Sequence, residues 1–448
     1  MKFCAIPWIH RYTDEQGLQR LCCIGVGEGN LLKNAEGRPM HVSQRLTDAE
    51  VLNSPVLKTV RRQMIRGEWP KACERCRLTE EAGSLSIRHH LNEQFGKDHE
   101  ALLRQTREDG TLENPIVRFA DIRLGNTCNL SCRMCGPASS RLWTPHFNNI
   151  QPAGYRLPAK ELRALGESNW VKQEPFAWLI DQCLPSVERM HFAGGEPLII
   201  PEMVDALEQC IASGRAGEIA LSYNTNLTVL PEKVTALWPH FRTVSLLCSV
   251  DGYGKLNDYI RRPSHWDDID RNLRLLDRRF KDWKIGSVTV SATVQLYNVL
   301  EIHELFAYIR GAGFANILPI PQLTPLFTPL YLSIQGLPAP AKTVARKRLQ
   351  AEIERAETWR RADLAGLIGS VRSTMKFMDA ADTSSNLPDF LSFCESSDKA
   401  FSDSWLEAAP ELARYLGLMR PTGPQRRPSA LSSLARWITH RRAEADRT

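Results

Sequence analysis

The stretch that decides the fold is Cys128-Asn-Leu-Ser-Cys132-Arg-Met-Cys135, in which three thiols lie within eight residues. An apolar, strand-like run from Ile116 to Leu124 precedes this cysteine loop. Soft thiolates select zinc, copper(I) or iron–sulfur clusters, and a structural zinc site needs four ligands. No fourth cysteine or histidine follows closely, so three local ligands suit three corners of a [4Fe–4S] cluster, with one iron left for another molecule. Half of a zinc site and three buried thiols are the alternatives.

A second motif follows the next strand-like run, Val187 to Phe192. It is the turn Ala193-Gly194-Gly195-Glu196-Pro197. Glycines have no Cβ, so the backbone of this turn can approach a ligand closely. Glu196 offers a carboxylate that can accept from an ammonium group. An ordinary glycine turn with a solvated glutamate is the alternative.

The order of strand, C-x3-C-x2-C loop, helix, strand and Gly-Gly-Glu-Pro turn resembles the radical S-adenosylmethionine (SAM) superfamily. The resemblance implies that Cys128, Cys132 and Cys135 hold a [4Fe–4S] cluster whose fourth iron binds the amino and carboxylate groups of SAM. One electron then cleaves SAM to methionine and a 5′-deoxyadenosyl radical, which abstracts hydrogen from a substrate. The turn at 194–196 is implied to bind the SAM amino group.

Apolar strand-like runs alternate with helical stretches from Ile116 to about Leu323. This alternation predicts an α/β fold with parallel strands joined by right-handed crossovers. The resemblance implies a partial (β/α)6 barrel. The predicted strands are 116–124, 187–192, 218–224, 243–250, 287–296 and 315–320, and the predicted helices are 138–147, 200–213, 231–238, 267–279 and 301–312.

Ligands of such folds lie at the carboxyl ends of the strands, where three more candidates occur. Asn226 follows the third strand and can serve ribose or carboxylate groups of SAM, although it is equally a turn former. Ser249 follows the fourth strand, in a Ser-Val-Asp-Gly stretch that resembles the family pattern and implies a place near the SAM polar groups. Arg261 can pair bidentately with the SAM carboxylate, with Arg262 as the alternative.

The first 110 residues carry a cysteine set of their own. The pattern of a cysteine, a gap, then Gly-x4-Cys resembles the twitch and SPASM modules, which hold an auxiliary [4Fe–4S] cluster in many radical SAM enzymes. The family normally places this module after the barrel, whereas here it precedes the barrel. The resemblance implies that the ligands of this cluster are Cys4, Cys22, Cys73 and Cys76. Cys23 competes with Cys22 as a ligand, and a structural zinc is the alternative to the cluster.

The charge of the chain is concentrated at one end. The net charge is +6, and from Met419 onward seven arginines stand against Glu444 and Asp446. The rest of the chain is therefore nearly neutral, and nucleic acid is not an expected partner.

No apolar run reaches the length of a membrane span. Twelve cysteines without an export signal predict a cytoplasmic protein whose cysteines serve metals or catalysis.

The sequence predicts three regions: a twitch/SPASM-like module and connector at 1–110, a radical SAM barrel at 111–325, and a mainly helical region with a basic tail at 326–448. Two helices are predicted in the third region, at 341–364 and 366–380. Amphipathic positions also predict one helix from Thr47 to Arg66 in the first region.

The function that the resemblance implies is radical SAM oxidoreductase chemistry on a peptide or protein side chain. A sugar or a nucleotide is the alternative substrate. A zinc-stabilised nucleic-acid-binding protein is the alternative of a different class, and a degenerate barrel that binds SAM without turnover is a third. The expected partners are SAM, the substrate and an electron donor such as flavodoxin or ferredoxin.

Overall fold

A computed structural model describes residues 2–81, 85–167, 169–173 and 175–418. Its strands are β1 His10–Thr13, β2 Gln19–Arg20, β3 Phe119–Arg123, β4 Arg189–Ala193, β5 Ala220–Thr225, β6 Thr243–Ser249, β7 Ile285–Val294 and β8 Gln322–Pro325. They form one sheet in the order β2-β1-β3-β4-β5-β6-β7-β8. The β1/β2 pair is antiparallel and every other neighbouring pair is parallel.

Helices connect the strands and make up most of the last hundred described residues. Those before β4 are α1 Ile6–Ile9, α2 Asp48–Leu52, α3 Pro55–Ile65, α4 Glu74–Glu81, α5 Ile87–Phe95, α6 His99–Arg104, α7 Phe147–Ile150, α8 Ala159–Glu167 and α9 Pro175–Cys183. Those after β4 are α10 Pro201–Ala212, α11 Glu232–Thr235, α12 Lys255–Ile260, α13 Trp266–Arg278, α14 Ile302–Gly311, α15 Ala339–Thr358, α16 Ala365–Asp379, α17 Leu387–Phe401, α18 Trp405–Ala408 and α19 Pro410–Tyr415.

The predicted α/β fold with a partial barrel is confirmed, with β3 to β8 as its six strands. The position predicted for the sixth strand, 315–320, is wrong, because β8 begins at Gln322. Within 315–320 only Ile317 forms a bridge, to Val288. Pro319 and Pro321 have no N–H to donate to a ladder, which explains why pairing is interrupted there.

Two predicted helices do not form as single helices in the structure. The stretch from Thr47 to Arg66 forms α2 and α3 instead of one helix. The break falls at Ser54, which precedes Pro55, and the residue before a proline is driven out of the helical conformation. The predicted helix at 138–147 is also absent, since this stretch holds only a 3-10 turn at Arg141–Trp143 and the start of α7.

The N-terminal segment extends the barrel sheet, a pairing that the sequence pattern did not predict. Strand β1 pairs antiparallel with β2 and also in parallel with β3, with Tyr12 opposite Asp121. The sheet therefore runs without interruption from the N-terminal cysteine segment into the barrel, across the predicted boundary near residue 110.

Residues alternate between the two faces of each strand. On β6, Val244, Leu246 and Cys248 are buried beneath the helices. Ser245 and Ser249 are partly exposed and share the concave face of the sheet. The apolar core therefore lies between sheet and helices, and the concave interior of the barrel is polar.

The C-terminal helices cover the β8 edge of the sheet. The backbone N–H of Leu323 on β8 donates to Ser370 Oγ of α16 at 3.0 Å.

No helix in the described part of the chain combines the length and apolarity needed to cross a bilayer. The predicted basic tail, residues 419–448, lies outside the described residues.

Candidate functional site

The cysteine loop is fixed by hydrogen bonds to the segment that ends α12. Ser131 N donates to the carbonyl oxygen of Arg262 at 2.7 Å, and Arg133 N donates to that of Ile260 at 2.8 Å. The Arg133 side chain is fully buried and donates to the Asp403 carboxylate at 2.6 Å. These contacts hold the loop between the barrel and the C-terminal helices.

The three thiols of the cysteine loop line one cavity of about 630 Å³, here called the main cavity. Cys132 is buried, and Cys128 and Cys135 are partly exposed. Burial raises the pKa of the Cys128 thiol to about 12. The Cys135 thiol donates a hydrogen bond to Cys132, which raises the pKa of Cys135 and lowers that of Cys132. Binding a metal here must therefore displace the protons that are retained on Cys128 and Cys135.

The Gly194-Gly195 turn lines the same cavity and packs directly on the start of the cysteine loop. Gly195 has a φ of +56°, and a Cβ added to it would lie 2.1 Å from the carbonyl oxygen of Thr127. The next backbone N–H, that of Glu196, donates to the same carbonyl at 2.9 Å. Only glycine permits this approach, since any side chain at position 195 would clash with the backbone of the loop.

Glu196 does not line the main cavity, in contrast to the expectation that its carboxylate receives the SAM ammonium group. The side chain is 1% exposed. Its two oxygens accept from Asn226 N at 2.6 Å, from Thr225 Oγ1 at 2.8 Å and from Leu198 N at 3.2 Å. Glu196 therefore ties the turn after β4 to the end of β5.

Asn226, one of the predicted cofactor residues, follows β5 and lines the main cavity. Its Nδ2 donates to Asn129 Oδ1 at 2.8 Å and lies 3.9 Å from the Cys128 sulfur. Its Oδ1 accepts from the backbone N–H and the hydroxyl of Thr228. Asn226 is therefore positioned to orient the cysteine loop and to donate to one of its sulfurs.

Arg261 and Ser249 enter the main cavity from the β6 side. Arg261 Nε lies 2.8 Å from Asp251 Oδ2, and the Asp251 side chain is fully buried. Asp251 Oδ1 accepts from the backbone N–H of Thr293 at 2.7 Å. The terminal nitrogens of Arg261 have no hydrogen-bond partner among the described residues. The alternative, Arg262, points elsewhere and pairs with Asp403 at 3.0 Å.

Two charged residues of the main cavity were missed in the sequence, Glu15 after β1 and Arg123 at the end of β3. The sequence does contain a pattern that indicates Arg123. Asp121 and Arg123 alternate with apolar residues in an otherwise apolar strand, so their side chains share one face. Asp121 is 2% exposed and lies 3.5 Å from Arg123. A charged pair at this position is costly unless it serves a ligand or a partner.

The four cysteines predicted to bind an auxiliary cluster line a second cavity of about 450 Å³. Cys4 precedes β1 and Cys22 follows the antiparallel β2, so this cavity lies near the amino end of β1. The cysteine loop follows the carboxyl end of β3, which is parallel to β1. The two cysteine sets therefore follow from opposite ends of these strands. Burial raises the pKa of Cys4 and that of Cys73 to about 12.

Cys23, the competing ligand, does not line the second cavity. Its thiol contacts Cys22 on one side and the Asp121 carboxylate on the other. Its hydrogen bond with Cys22 and its burial raise its pKa well above the ordinary value. Arg88, which was not predicted to belong to a site, lines the cavity and donates to the carbonyl oxygen of Phe3 at 2.7 Å.

Residues 122–308 match the family model described as the Radical SAM superfamily. This segment contains the cysteine loop, the Gly-Gly-Glu-Pro turn and β4 to β7. The chain therefore contains a radical SAM domain, and this domain indicates an enzyme. No curated protein matches the chain in sequence.

Solved structures that match part of this chain include native anSMEcpe with bound AdoMet, at 15% identity over 53% of this chain and 59% of that one, with a TM-score of 0.36. SuiB of Streptococcus suis bound to S-adenosylmethionine matches at 13% identity over 74% of this chain and 70% of that one, with a TM-score of 0.34. SuiB bound to the precursor peptide SuiA matches at 14% identity over 78% of this chain and 71% of that one, with a TM-score of 0.33. The chain spans about three fifths of the anSMEcpe chain that it matches.

The main cavity fits the cofactors that a radical SAM domain implies. It offers three sulfur donors, the type of ligand that iron–sulfur clusters prefer, together with a guanidinium open to a carboxylate. Within the described ranges, no three His, Cys, Asp or Glu side chains are arranged to hold a single metal ion.

Replacing Gly195 tests the contact between the turn and the cysteine loop. Gly195→Ala should lower the free energy of unfolding by roughly 1–3 kcal/mol more than Gly214→Ala. Both glycines have positive φ, but a Cβ at Gly214 meets nothing within 4 Å, so the difference isolates the clash with Thr127. Urea denaturation followed by circular dichroism measures both variants, and equal destabilisation would contradict the close packing.

The buried carboxyl of Glu196 predicts a pH dependence of stability. Burial raises its pKa in the folded protein to about 7 from an ordinary value of 4.5. The folded state therefore holds the proton of the Glu196 carboxyl more tightly than the unfolded state does. The contribution of Glu196 to the free energy of unfolding falls by about 3 kcal/mol as the pH rises from below 4.5 to above 7. Unfolding free energies measured across this range should fall for the wild type relative to Glu196→Gln, whereas parallel curves would exclude the effect.

Proposed function

We propose that the protein is a radical SAM enzyme whose main cavity holds a [4Fe–4S] cluster and SAM. The observation that carries the proposal is that three loop thiols, the Gly194-Gly195 turn and Arg261 line one cavity of a radical SAM domain. When bound, the cluster and SAM supply a 5′-deoxyadenosyl radical that abstracts hydrogen from a substrate.

The residues of the main cavity have separate roles in this proposal. Cys128, Cys132 and Cys135 hold the cluster, and a hydrogen bond from Asn226 to the Cys128 sulfur draws charge from that ligand, a contact that tunes cluster potentials. Arg261 receives the SAM carboxylate in its planar fork. Asp251 keeps the guanidinium oriented through their 2.8 Å contact.

The remaining predicted SAM residues act through the backbone or at the cavity wall. The backbone of Gly194 and Gly195 offers the surface for the SAM amino group, because no side chain intervenes. Ser249 supplies a hydroxyl from the end of β6. Glu196 acts as a positioning residue, since its carboxylate holds the backbone N–H of Asn226.

The second cavity is proposed to hold an auxiliary [4Fe–4S] cluster on four thiols. The grouping of Cys4, Cys22, Cys73 and Cys76 around one cavity supports this part of the proposal, and the orientation of Cys23 away from it favours Cys22 as the ligand. Such a cluster would accept an electron from a substrate radical or anchor the substrate. A flavodoxin or ferredoxin is the proposed electron donor.

The proposed substrate is a peptide or protein side chain, with a sugar or nucleotide as the alternative. This choice rests on the resemblance to twitch and SPASM enzymes. Among the similar folds, one anSMEcpe structure contains a Cp18Cys peptide and one SuiB structure contains its precursor peptide.

Replacing the loop cysteines tests the proposed chemistry. The full chain, reconstituted with iron and sulfide without oxygen, should form 5′-deoxyadenosine from SAM under reduction. Cys128→Ala, Cys132→Ala and Cys135→Ala should each abolish this product, because three thiolates are needed to hold the cluster. Cys183→Ala is the matched control, since Cys183 is fully buried and lines neither cavity. Product formation without the loop cysteines would overturn the proposal, and SAM binding without any product would indicate a degenerate barrel.

Iron content tests the second cavity independently. The wild type should bind about eight irons, and Cys73→Ala combined with Cys76→Ala should bind about four, because only one cluster would remain. Cleavage of SAM should persist in this double variant, since the main cavity is unchanged. Elemental analysis that finds zinc in the wild type, lost together with these two cysteines, would favour a structural zinc site.

A further inference from the structure

Two arginine–aspartate pairs meet in the main cavity. Arg261 reaches it after β6 with Asp251 behind it, and Arg123 reaches it from the end of β3 with Asp121 behind it. Both arginines line the cavity, whereas both aspartates are nearly or fully buried and do not. Since β4 and β5 separate β3 from β6, the two guanidiniums enter from different walls.

The Arg123 guanidinium is supported from behind and open towards the cavity. It lies against the Tyr12 ring, 5.6 Å from its centroid, and 3.5 Å from Asp121 Oδ1. Its Nε and that Asp121 oxygen face each other without a hydrogen bond, as Arg261 Nε and Asp251 Oδ2 do in the other pair. The terminal nitrogens of Arg123 have no hydrogen-bond partner among the described residues. Because Arg123 lines the cavity, these nitrogens are free to donate to a ligand there.

The acidic neighbour of Arg123 does not satisfy this guanidinium. Glu15 lines the same cavity, but among the described residues it forms no ion pair with Arg123 within 4.0 Å. Asp121 is held at 3.5 Å, which is longer than a charge-assisted hydrogen bond. Arg123 thus retains the capacity for a bidentate interaction with a planar anion.

The chemistry of the cofactor leaves Arg123 without a role in SAM binding. SAM carries a single carboxylate, and its ammonium and sulfonium groups are cationic and would be repelled by a guanidinium. The proposed function assigns that carboxylate to Arg261. A second guanidinium in the same cavity therefore requires a second anion.

We infer that Arg123 is the binding site for an anionic group of the substrate, a carboxylate or a phosphate, with Asp121 as the residue that positions it. This inference rests on the proposed function, because the substrate is taken to lie beside SAM in the main cavity. It narrows the substrate to molecules that carry an anion within reach of the carbon that loses hydrogen.

Small anions test this site on the reconstituted full chain saturated with SAM. Calorimetric titrations use N-acetylglycine for a carboxylate, methyl phosphate for a phosphate and N-acetylglycinamide as the uncharged counterpart. At least one anion should bind the wild type more tightly than the amide does. Arg123→Gln should weaken that binding roughly 10- to 100-fold, because a charge-assisted bidentate contact is lost.

A matched variant and a separate readout make the result decisive. Arg20→Gln removes an arginine of β2 that pairs with Asp14 and does not line the cavity, and this variant should bind the anions as the wild type does. The iron content of Arg123→Gln should equal that of the wild type, which shows that the fold and the cluster are intact.

Three outcomes would overturn the inference. The first is equal binding of the anions and the amide by the wild type, and the second is equal anion binding by the wild type and Arg123→Gln. The third is a tenfold loss of SAM affinity in Arg123→Gln, which would assign this guanidinium to the cofactor. Failure of the wild type to cleave SAM would instead refute the proposed function. The preferred anion in a positive result separates a carboxylate substrate from a phosphate one.

Discussion

The carbonyl oxygen of Thr127 receives the contact on which the main cavity depends. The turn after β4 reaches it through the backbone N–H of Glu196 and through Gly195, whose missing Cβ makes the approach possible. The Glu196 carboxylate then extends to the end of β5, where it accepts from Asn226 N. One turn thus joins the carboxyl ends of three consecutive parallel strands, and the cysteine loop begins at the residue after Thr127.

Much of this arrangement could be predicted from the sequence, because local patterns determine it. The cysteine spacing, the two glycines and the alternation of apolar strands with helices identify the barrel and most of its cavity. The role of Glu196 could not be predicted, because its carboxylate accepts from the last residue of β5 and from the residue after it, about thirty residues away in the chain. The pairing of β1 with β3 was equally hidden, since more than a hundred residues separate the two strands.

The sixth strand was misplaced for a related reason. The stretch 315–320 is as apolar as a buried strand, and its composition alone therefore predicts a strand there. Pairing instead follows hydrogen-bond capacity, and β8 starts after Pro321, where Gln322 lies opposite Ser291 of β7. Proline removes a donor whatever the hydropathy of its neighbours, so the ladder resumes only beyond it.

The N-terminal segment both supplies a cysteine set and completes the barrel wall. An open sheet exposes unpaired backbone at its edges, here β2 and β8. Arg75, between two cysteines of the second cavity, lies 4.9 Å from the centroid of the Phe327 ring, which follows β8. Phe327 in turn contacts Phe377 of α16, 4.9 Å between ring centroids. The two ends of the sheet are therefore connected through the segment that holds the second cysteine set.

A contact of Cys23 links the segment that lines the second cavity to the charged residues of the main cavity. Cys22 lines the second cavity, and the neighbouring Cys23 contacts Asp121, which positions Arg123 at the main cavity. Because Asp121 lies on β3 and Cys23 follows β2, the contact exists only when the hairpin is paired to the barrel. The parallel pairing of β1 with β3 therefore brings the segment of the second cysteine set into contact with the charged pair of the main cavity.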